Sequence, residues 1–73
     1  MISEKDREEI RLHAKIHVLG AKRGINFIEL ADQVARSTYL KLKDIEREIR
    51  IMIDYNKVLK FDERWDIKIN DGK

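Results

Sequence analysis

The chain has no cysteine, no proline and only three glycines among its 73 residues. Without cysteine it can form neither disulfide bonds nor thiolate zinc sites, and a reducing compartment is permitted. No apolar run approaches the roughly 20 residues of a membrane span. The N-terminus, from Met1 to Asp6, is too polar for a signal peptide. We therefore expect a cytoplasmic protein with no membrane partner.

Charged residues are abundant, at 41% of the chain, but the net charge is only +2. Such a mildly basic balance permits nucleic-acid binding without arguing strongly for it. A chain of this length forms one domain, whose small core often needs a disulfide, a metal or a partner subunit. We predict a single domain over 1–73, with frayed ends at 1–3 and 70–73.

The C-terminal half predicts a third helix followed by a β-hairpin. Apolar residues at helical spacing predict a helix over about 40–55, with a core face formed by Leu42, Ile45, Ile49, Met52 and Ile53. One outer flank carries Lys43, Arg47, Arg50 and Asp54, and the other carries Asp44, Glu48 and Tyr55. Ile51 lies between these flanks, pointing away from the core, and Asn56 is the expected left-handed C-cap.

The period then changes from 3.6 to 2, which predicts a hairpin over about 57–69. A three-residue loop at 62–64 places Phe61 opposite Trp65 and Leu59 opposite Ile67, with the large side chains on one face. No glycine is available for the left-handed loop position, so the turn is strained or longer than this. Trp65 is either a contact at the hairpin tip or, as we favour, a clamp against Phe61 on the core.

The N-terminal segment predicts a helix from about Glu4 to about Lys22, with Ser3 as its N-cap. The strict alternation from Ile10 to Val18 is also a strand pattern, but the caps and the length favour a helix. Its apolar residues lie on two faces, one with Ile10, Ala14, Val18 and Ala21 and the other with Leu12, Ile16 and Leu19. Such a helix is either enclosed in the core or shared with a second copy, and for a domain this small we favour a homodimer through this helix.

A second helix is predicted from residue 27 or 28 to Ala35, after a short extended link at 24–27. Asn26 is the candidate N-cap, and the apolar set comprises Ile28, Leu30, Ala31, Val34 and Ala35. The segment Arg36-Ser37-Thr38 is expected to break this helix, because Ser and Thr compete for backbone hydrogen bonds.

This order of elements resembles the winged-helix (winged helix-turn-helix) superfamily. Three local sequences carry the resemblance. The first is Gly24-Ile25-Asn26-Phe27, followed by Glu29-Leu30-Ala31. The second is Ile45, Ile49 and Met52, followed by Asp54-Tyr55-Asn56, and the third is the hairpin, or wing, from Val58 to Ile69. The resemblance implies an α+β fold, mostly α, with three helices followed by a two-stranded β-hairpin wing. One departure is the spacing of fourteen positions from Ala31 to Ile45, against about ten in compact helix-turn-helix sequences, so the turn is longer or the third helix starts earlier.

In that superfamily the third helix usually enters the DNA major groove. The resemblance therefore implies duplex DNA as the partner, and basic or polar positions on the turn, the third helix and the wing as its contacts. The candidate DNA-binding residues are Arg36, Ser37, Thr38, Lys41, Lys43, Arg47, Arg50, Lys60, Arg64 and Lys68. The alternative is a solvated helix laced by ion pairs, because residues 41–54 hold four cations and four acids, and Asp44, Glu48 and Asp54 would repel phosphates.

An exposed Ile51 favours a different role, a protein-interaction module whose partner covers the third helix.

Three metal-capable groups share one face of the first helix: His13, His17 and, one turn earlier, Glu9. A zinc site would need a further ligand. We predict no metal site, no cofactor and no catalytic residue, since no catalytic motif or pocket can be built from these residues.

Overall fold

The computed structural model describes residues 2–71, which form three helices and then a two-stranded antiparallel hairpin. The elements are α1 (Glu4–Gly20), α2 (Phe27–Thr38), α3 (Leu42–Asp54), β1 (Leu59–Phe61) and β2 (Ile67–Ile69). The predicted fold class, α+β and mostly α, is confirmed. This arrangement is compatible with a winged-helix layout.

Helix α1 forms as predicted, and the strand interpretation of its alternating pattern is wrong. The Ser3 hydroxyl caps it by accepting a hydrogen bond from the Asp6 amide at 3.1 Å. Ile10, Ala14 and Val18 are buried on its inner face. The helix ends at Gly20 rather than at Lys22.

Helix α2 begins at its predicted cap but runs a turn further than predicted. Asn26 Oδ1 accepts hydrogen bonds from the amides of Ile28 and Glu29, at 2.8 and 3.3 Å. At the other end, the hydroxyls of Ser37 and Thr38 donate to the carbonyls four residues earlier. They therefore satisfy themselves within the helix, and the prediction that residues 36–38 break it is wrong.

The same extra turn explains the long spacing between the second and third helices. Tyr39 ends α2 in the left-handed conformation, with φ of 61°, and two further residues lead into α3. The additional positions between Ala31 and Ile45 are thus taken up mainly by helix rather than by a loose turn. Ile28, predicted as part of the apolar set of α2, is 73% exposed.

The core face of α3 differs from the predicted one at its edges. Ile45, Ile49 and Met52 are fully buried as predicted, but Leu42 is 47% exposed and Glu48 is buried. The C-cap prediction at Asn56 is wrong, because the left-handed residue after the helix is Lys57, with φ of 57°.

The hairpin has a different register from the predicted one. Leu59 pairs with Ile69 and Phe61 with Ile67, so the loop spans 62–66 instead of 62–64. Asp62 shapes this longer loop, because its Oδ1 accepts hydrogen bonds from the amides of residues 64 and 66, at 2.8 and 3.0 Å. Leu59 and Ile67 still share the inward face, and both are fully buried.

Trp65 lies at the end of the wing with φ of 67°. Its ring centroid is 5.3 Å from that of Phe61, as expected for a clamp. The indole nevertheless remains 72% exposed, so the predicted placement of this clamp on the core is wrong. The contact stabilises the hairpin from outside.

The link between α1 and α2 adds a third, strand-like segment to the hairpin. Ile25 and Ile67 exchange two backbone hydrogen bonds, at 3.1 and 2.7 Å. Gly24 precedes this bridge with φ of 96°, and a Cβ at this position would lie 2.9 Å from the Cβ of Asp66. The bridge ties the wing to the helices and fixes where its cations lie.

Candidate nucleic-acid interface

The outer face of α3 presents the predicted basic stripe. Lys43, Arg47 and Arg50 are all exposed, and their spacing places them on one side of the helix. Lys41, also exposed, is the N-cap residue of α3. Arg50 is held in place, since its guanidinium carbon lies 5.1 Å from the centroid of the Phe27 ring at the start of α2.

Glu48, which directly follows Arg47 in the sequence, points inward and joins α3 to α1. Its side chain is only 3% exposed and accepts hydrogen bonds from Arg7 Nε at 2.9 Å and from Arg11 Nη1 at 2.8 Å. Arg11 also binds Glu4 at 2.9 Å, and Arg7 approaches Glu4 at 3.5 Å. The two carboxylates and two guanidiniums form one network between the helices.

These hydrogen bonds shift the titration of the network. The bond to Glu48 raises the pKa of Arg7, and the bonds to Glu4 and then Glu48 raise the pKa of Arg11. The bond from Arg11 lowers the pKa of Glu4. All three groups are thereby held in their charged forms.

The expectation that Glu48 would lie near DNA phosphates is therefore wrong. The negative charge of Glu48 is buried and is neutralised by cations of α1. Of the other acids on α3, Asp44 and Glu46 are half-buried on its flanks, and Asp54 is exposed near its C-terminal end. The outer face of α3 consequently carries more positive potential than the sequence count indicates.

The predicted turn residues contribute less than expected, because they belong to α2. Arg36 is exposed and pairs with Asp32 at 3.2 Å. The Ser37 hydroxyl is engaged by the Gln33 carbonyl and by His17 Nε2, at 3.0 and 3.1 Å. Thr38 is half-buried and bonded to the carbonyl of residue 34. Arg36 is thus the only one of the three that carries a charge, and Asp32 already pairs with it.

The wing places its cations beside the C-terminal end of α1. Lys60 and Lys68 lie directly opposite each other in the hairpin and line a shallow depression with Lys22. Arg64 lies near Lys22 and Arg23. Cross-strand like charges are unfavourable, and here Asp62 relieves them only in part, at 3.6 Å from Lys68 Nζ.

Asp62 itself is held as a carboxylate. Partial burial is the largest single influence and acts to raise its pKa, but hydrogen bonds from the amides of residues 64 and 66, together with the charge and hydrogen bond of Lys68, outweigh it. The net effect is a lowered pKa for Asp62.

Lys22 and Arg23 were missed as candidate contacts at the sequence level. In the sequence, these two residues indicate only the C-terminal end of a helix, where cations are common. Their position beside the wing depends on the bridge between Ile25 and Ile67, which no local pattern in the sequence reveals.

The predicted protein-interface residues fall into two places. Leu12, Ile16 and Leu19 line the outside of α1 and are 50%, 52% and 68% exposed. Ile51 is half-buried rather than pointing fully outward, and it lines a small depression with Ile2 and Arg7.

The histidines make local contacts. His13 Nε2 lies 3.4 Å from Glu9, and His17 contacts Ser37. Within residues 2–71, no group of three or more His, Cys, Asp or Glu side chains is arranged to hold a metal ion. In the same part of the chain, every helix is too short or too polar to cross a bilayer.

Comparison of the chain with protein-family models, with curated proteins and with solved structures finds no match.

Proposed function

We propose that this protein binds duplex DNA through the outer face of α3 and the hairpin wing, as a transcriptional or replication accessory factor. The observation that carries the proposal is the inward, ion-paired position of Glu48, because it leaves Lys43, Arg47 and Arg50 as the main charges of an exposed helix face. A helix of this width fits the major groove.

In this proposal the cations have two roles. Lys41 and Lys43 neutralise phosphates, and Arg47 and Arg50 contact base edges, where guanidinium groups pair with guanine O6 and N7. The wing cations Lys60, Arg64 and Lys68 contact the neighbouring backbone.

A salt titration with a random duplex tests the proposal. Several phosphate contacts require the affinity to fall steeply as salt rises. The double variant Lys41→Gln/Lys43→Gln should bind more weakly and lose about 1.8 from the slope of log affinity against log salt, at about 0.9 per phosphate contact. Arg50 is left unchanged because its contact with Phe27 is also structural.

The matched control is Lys5→Gln/Lys57→Gln, which removes two exposed cations that lie outside both proposed interfaces. It should leave the slope unchanged. Equal losses in the two double variants would show that binding follows net charge alone, and no binding at about 50 mM salt, where phosphate contacts are strong, would rule out the DNA proposal.

We also propose a homodimer through the exposed stripe of α1, which would present two α3 helices to half-sites about one helical turn apart. The dimer would cover six side chains of the stripe, three from each copy, and about half of each is exposed in the monomer. Burying a full side chain contributes about 1.5–3 kcal/mol, so this contact contributes on the order of 5–9 kcal/mol. Association itself costs about 4–15 kcal/mol. The apolar stripe alone therefore supports only a weak dimer.

The alternative is a protein-interaction module, and the observation that favours it is the depression shared by Ile51 and Ile2 beside the α1–α3 network. In that case Ile51→Glu should abolish binding of the partner without unfolding the domain, while duplex binding would be absent from the start. An unaffected complex would exclude this use of Ile51.

Both proposals describe binding, and we propose no catalytic activity for this chain. We also propose that the protein works in the cytoplasm. A chain without cysteine folds without disulfide bonds, so a reducing compartment suits it.

A further inference from the structure

The charges at the two ends of the exposed stripe of α1 have opposite signs. Leu12, Ile16 and Leu19 follow the spacing of a coiled-coil seam. Glu8 and Glu9 continue the same face one turn before Leu12. Beyond the other end of the stripe come Lys22 and Arg23, in the turn that follows the helix.

Along the sequence, these charges are symmetric about the stripe. Glu9 and Lys22 are equally far along the chain from the midpoint of Leu12 and Leu19, and the same holds for Glu8 and Arg23. A second α1 running in the opposite direction would therefore bring acids to cations when it brings Leu12 to Leu19.

These charges are not used within the domain. Glu8, Lys22 and Arg23 are exposed and make no ion pair with the described residues 2–71. Glu9 meets only His13, at 3.4 Å. Lys22 also lies beside Lys60 and Lys68, in a depression that Asp71 lines as well. The cations there outnumber the acid, and an acidic partner surface would relieve their repulsion.

We propose that two copies of this chain pair through α1 in antiparallel orientation, with Glu8 and Glu9 of each copy facing Lys22 and Arg23 of the other. The inference rests on the homodimer of the proposed function and adds its orientation. Two-fold symmetry forms each charge contact twice. Parallel pairing would instead place acids against acids and cations against cations, which is unfavourable. Lys15 is exposed beside the stripe, and a lysine stem can lie along apolar surface while its ammonium group stays in water.

Charge reversal tests the orientation, with sedimentation equilibrium of the full chain at low salt and without DNA as the measurement. Glu8→Lys/Glu9→Lys and Lys22→Glu/Arg23→Glu each set like charges against each other in an antiparallel homodimer. Each variant alone should raise the dissociation constant at least about tenfold. An equimolar mixture of the two should restore dimers, because both contacts are again between opposite charges.

Two further measurements keep the outcomes distinct. Circular dichroism should show that both variants retain the helix content of the parent chain, and Ile16→Glu should give a monomer. A parent chain that is monomeric at every concentration would overturn the homodimer and its orientation together. A dimer lost in Ile16→Glu but unchanged by both charge reversals would overturn the orientation alone. Duplex binding, measured separately, decides the DNA proposal.

Discussion

Replacing Glu48 by glutamine should destabilise the domain more than any other single isosteric change on α3. The variant keeps the shape of the side chain but removes the charge that two guanidinium groups share, at 2.8 and 2.9 Å. Removing one partner of a fully buried ion pair costs about 3–5 kcal/mol. The side chains of Arg7 and Arg11 are 39% and 24% exposed, so water recovers part of that loss, and we expect about 2–3 kcal/mol.

Urea unfolding followed by circular dichroism measures this change. A chain of 73 residues has a total stability of about 4–11 kcal/mol, and small domains lose about 1 kcal/mol per molar urea. The midpoint should fall by about 2 M or more. Glu46→Gln, at a half-buried position outside the network, is the matched control and should change little.

The same network predicts the effect of replacing all its inner members. Buried ion pairs are often no more stabilising than well-packed apolar residues of similar volume. The triple variant Arg7→Met/Arg11→Met/Glu48→Met should therefore be as stable as the parent chain, or more so. If Glu48→Gln lies within about 0.5 kcal/mol of the parent, the normal range for surface substitutions, the network contributes nothing to holding α3 and the reasoning is refuted.

Two further predictions concern the wing and its attachment. Gly24→Ala should destabilise the domain by about 1–3 kcal/mol, because φ of 96° and a contact of 2.9 Å with Asp66 oppose a Cβ; Gly20→Ala, where a Cβ meets nothing within 4 Å, should be neutral or stabilising. Thermal unfolding of both variants checks this pair, and equal effects would contradict it. The pKa of Asp62 is lower in the folded chain than its unfolded value of about 3.9. Its carboxylate therefore stabilises the fold at pH values above about 3.9, and this contribution disappears as the pH falls through the pKa of the folded state. Asp62→Asn should therefore be less stable than the parent at pH 5, with a gap that closes towards pH 2.5, as urea midpoints would show; a constant gap would argue against a role for the charge.

The sequence predicted those elements whose determinants are local. Ser3 and Asn26 begin their helices as expected because a capping side chain bonds to amides only two or three residues away. The buried apolar positions of α1 and α3 follow from helical spacing, which the sequence displays directly.

The elements that were predicted wrongly depend on partners that local patterns do not show. Glu48 lies at the border of the core on a helical projection, and Arg7 and Arg11, 41 and 37 residues away, decide that it turns inward. The hairpin register depends on the bonds that Asp62 makes to its own loop. Ser37 and Thr38 can either end a helix or bond back to it, and propensity alone does not decide between these.

The bridge between Ile25 and Ile67 also protects the wing from aggregation. It covers the outer side of β2 at Ile67, and within residues 2–71 the edge that stays open along a whole strand is that of β1. That edge is three residues long, and Lys60 stands at its centre. A strand from another molecule would gain few hydrogen bonds there and would have to desolvate an ammonium group, so fibril-like growth from this sheet is disfavoured.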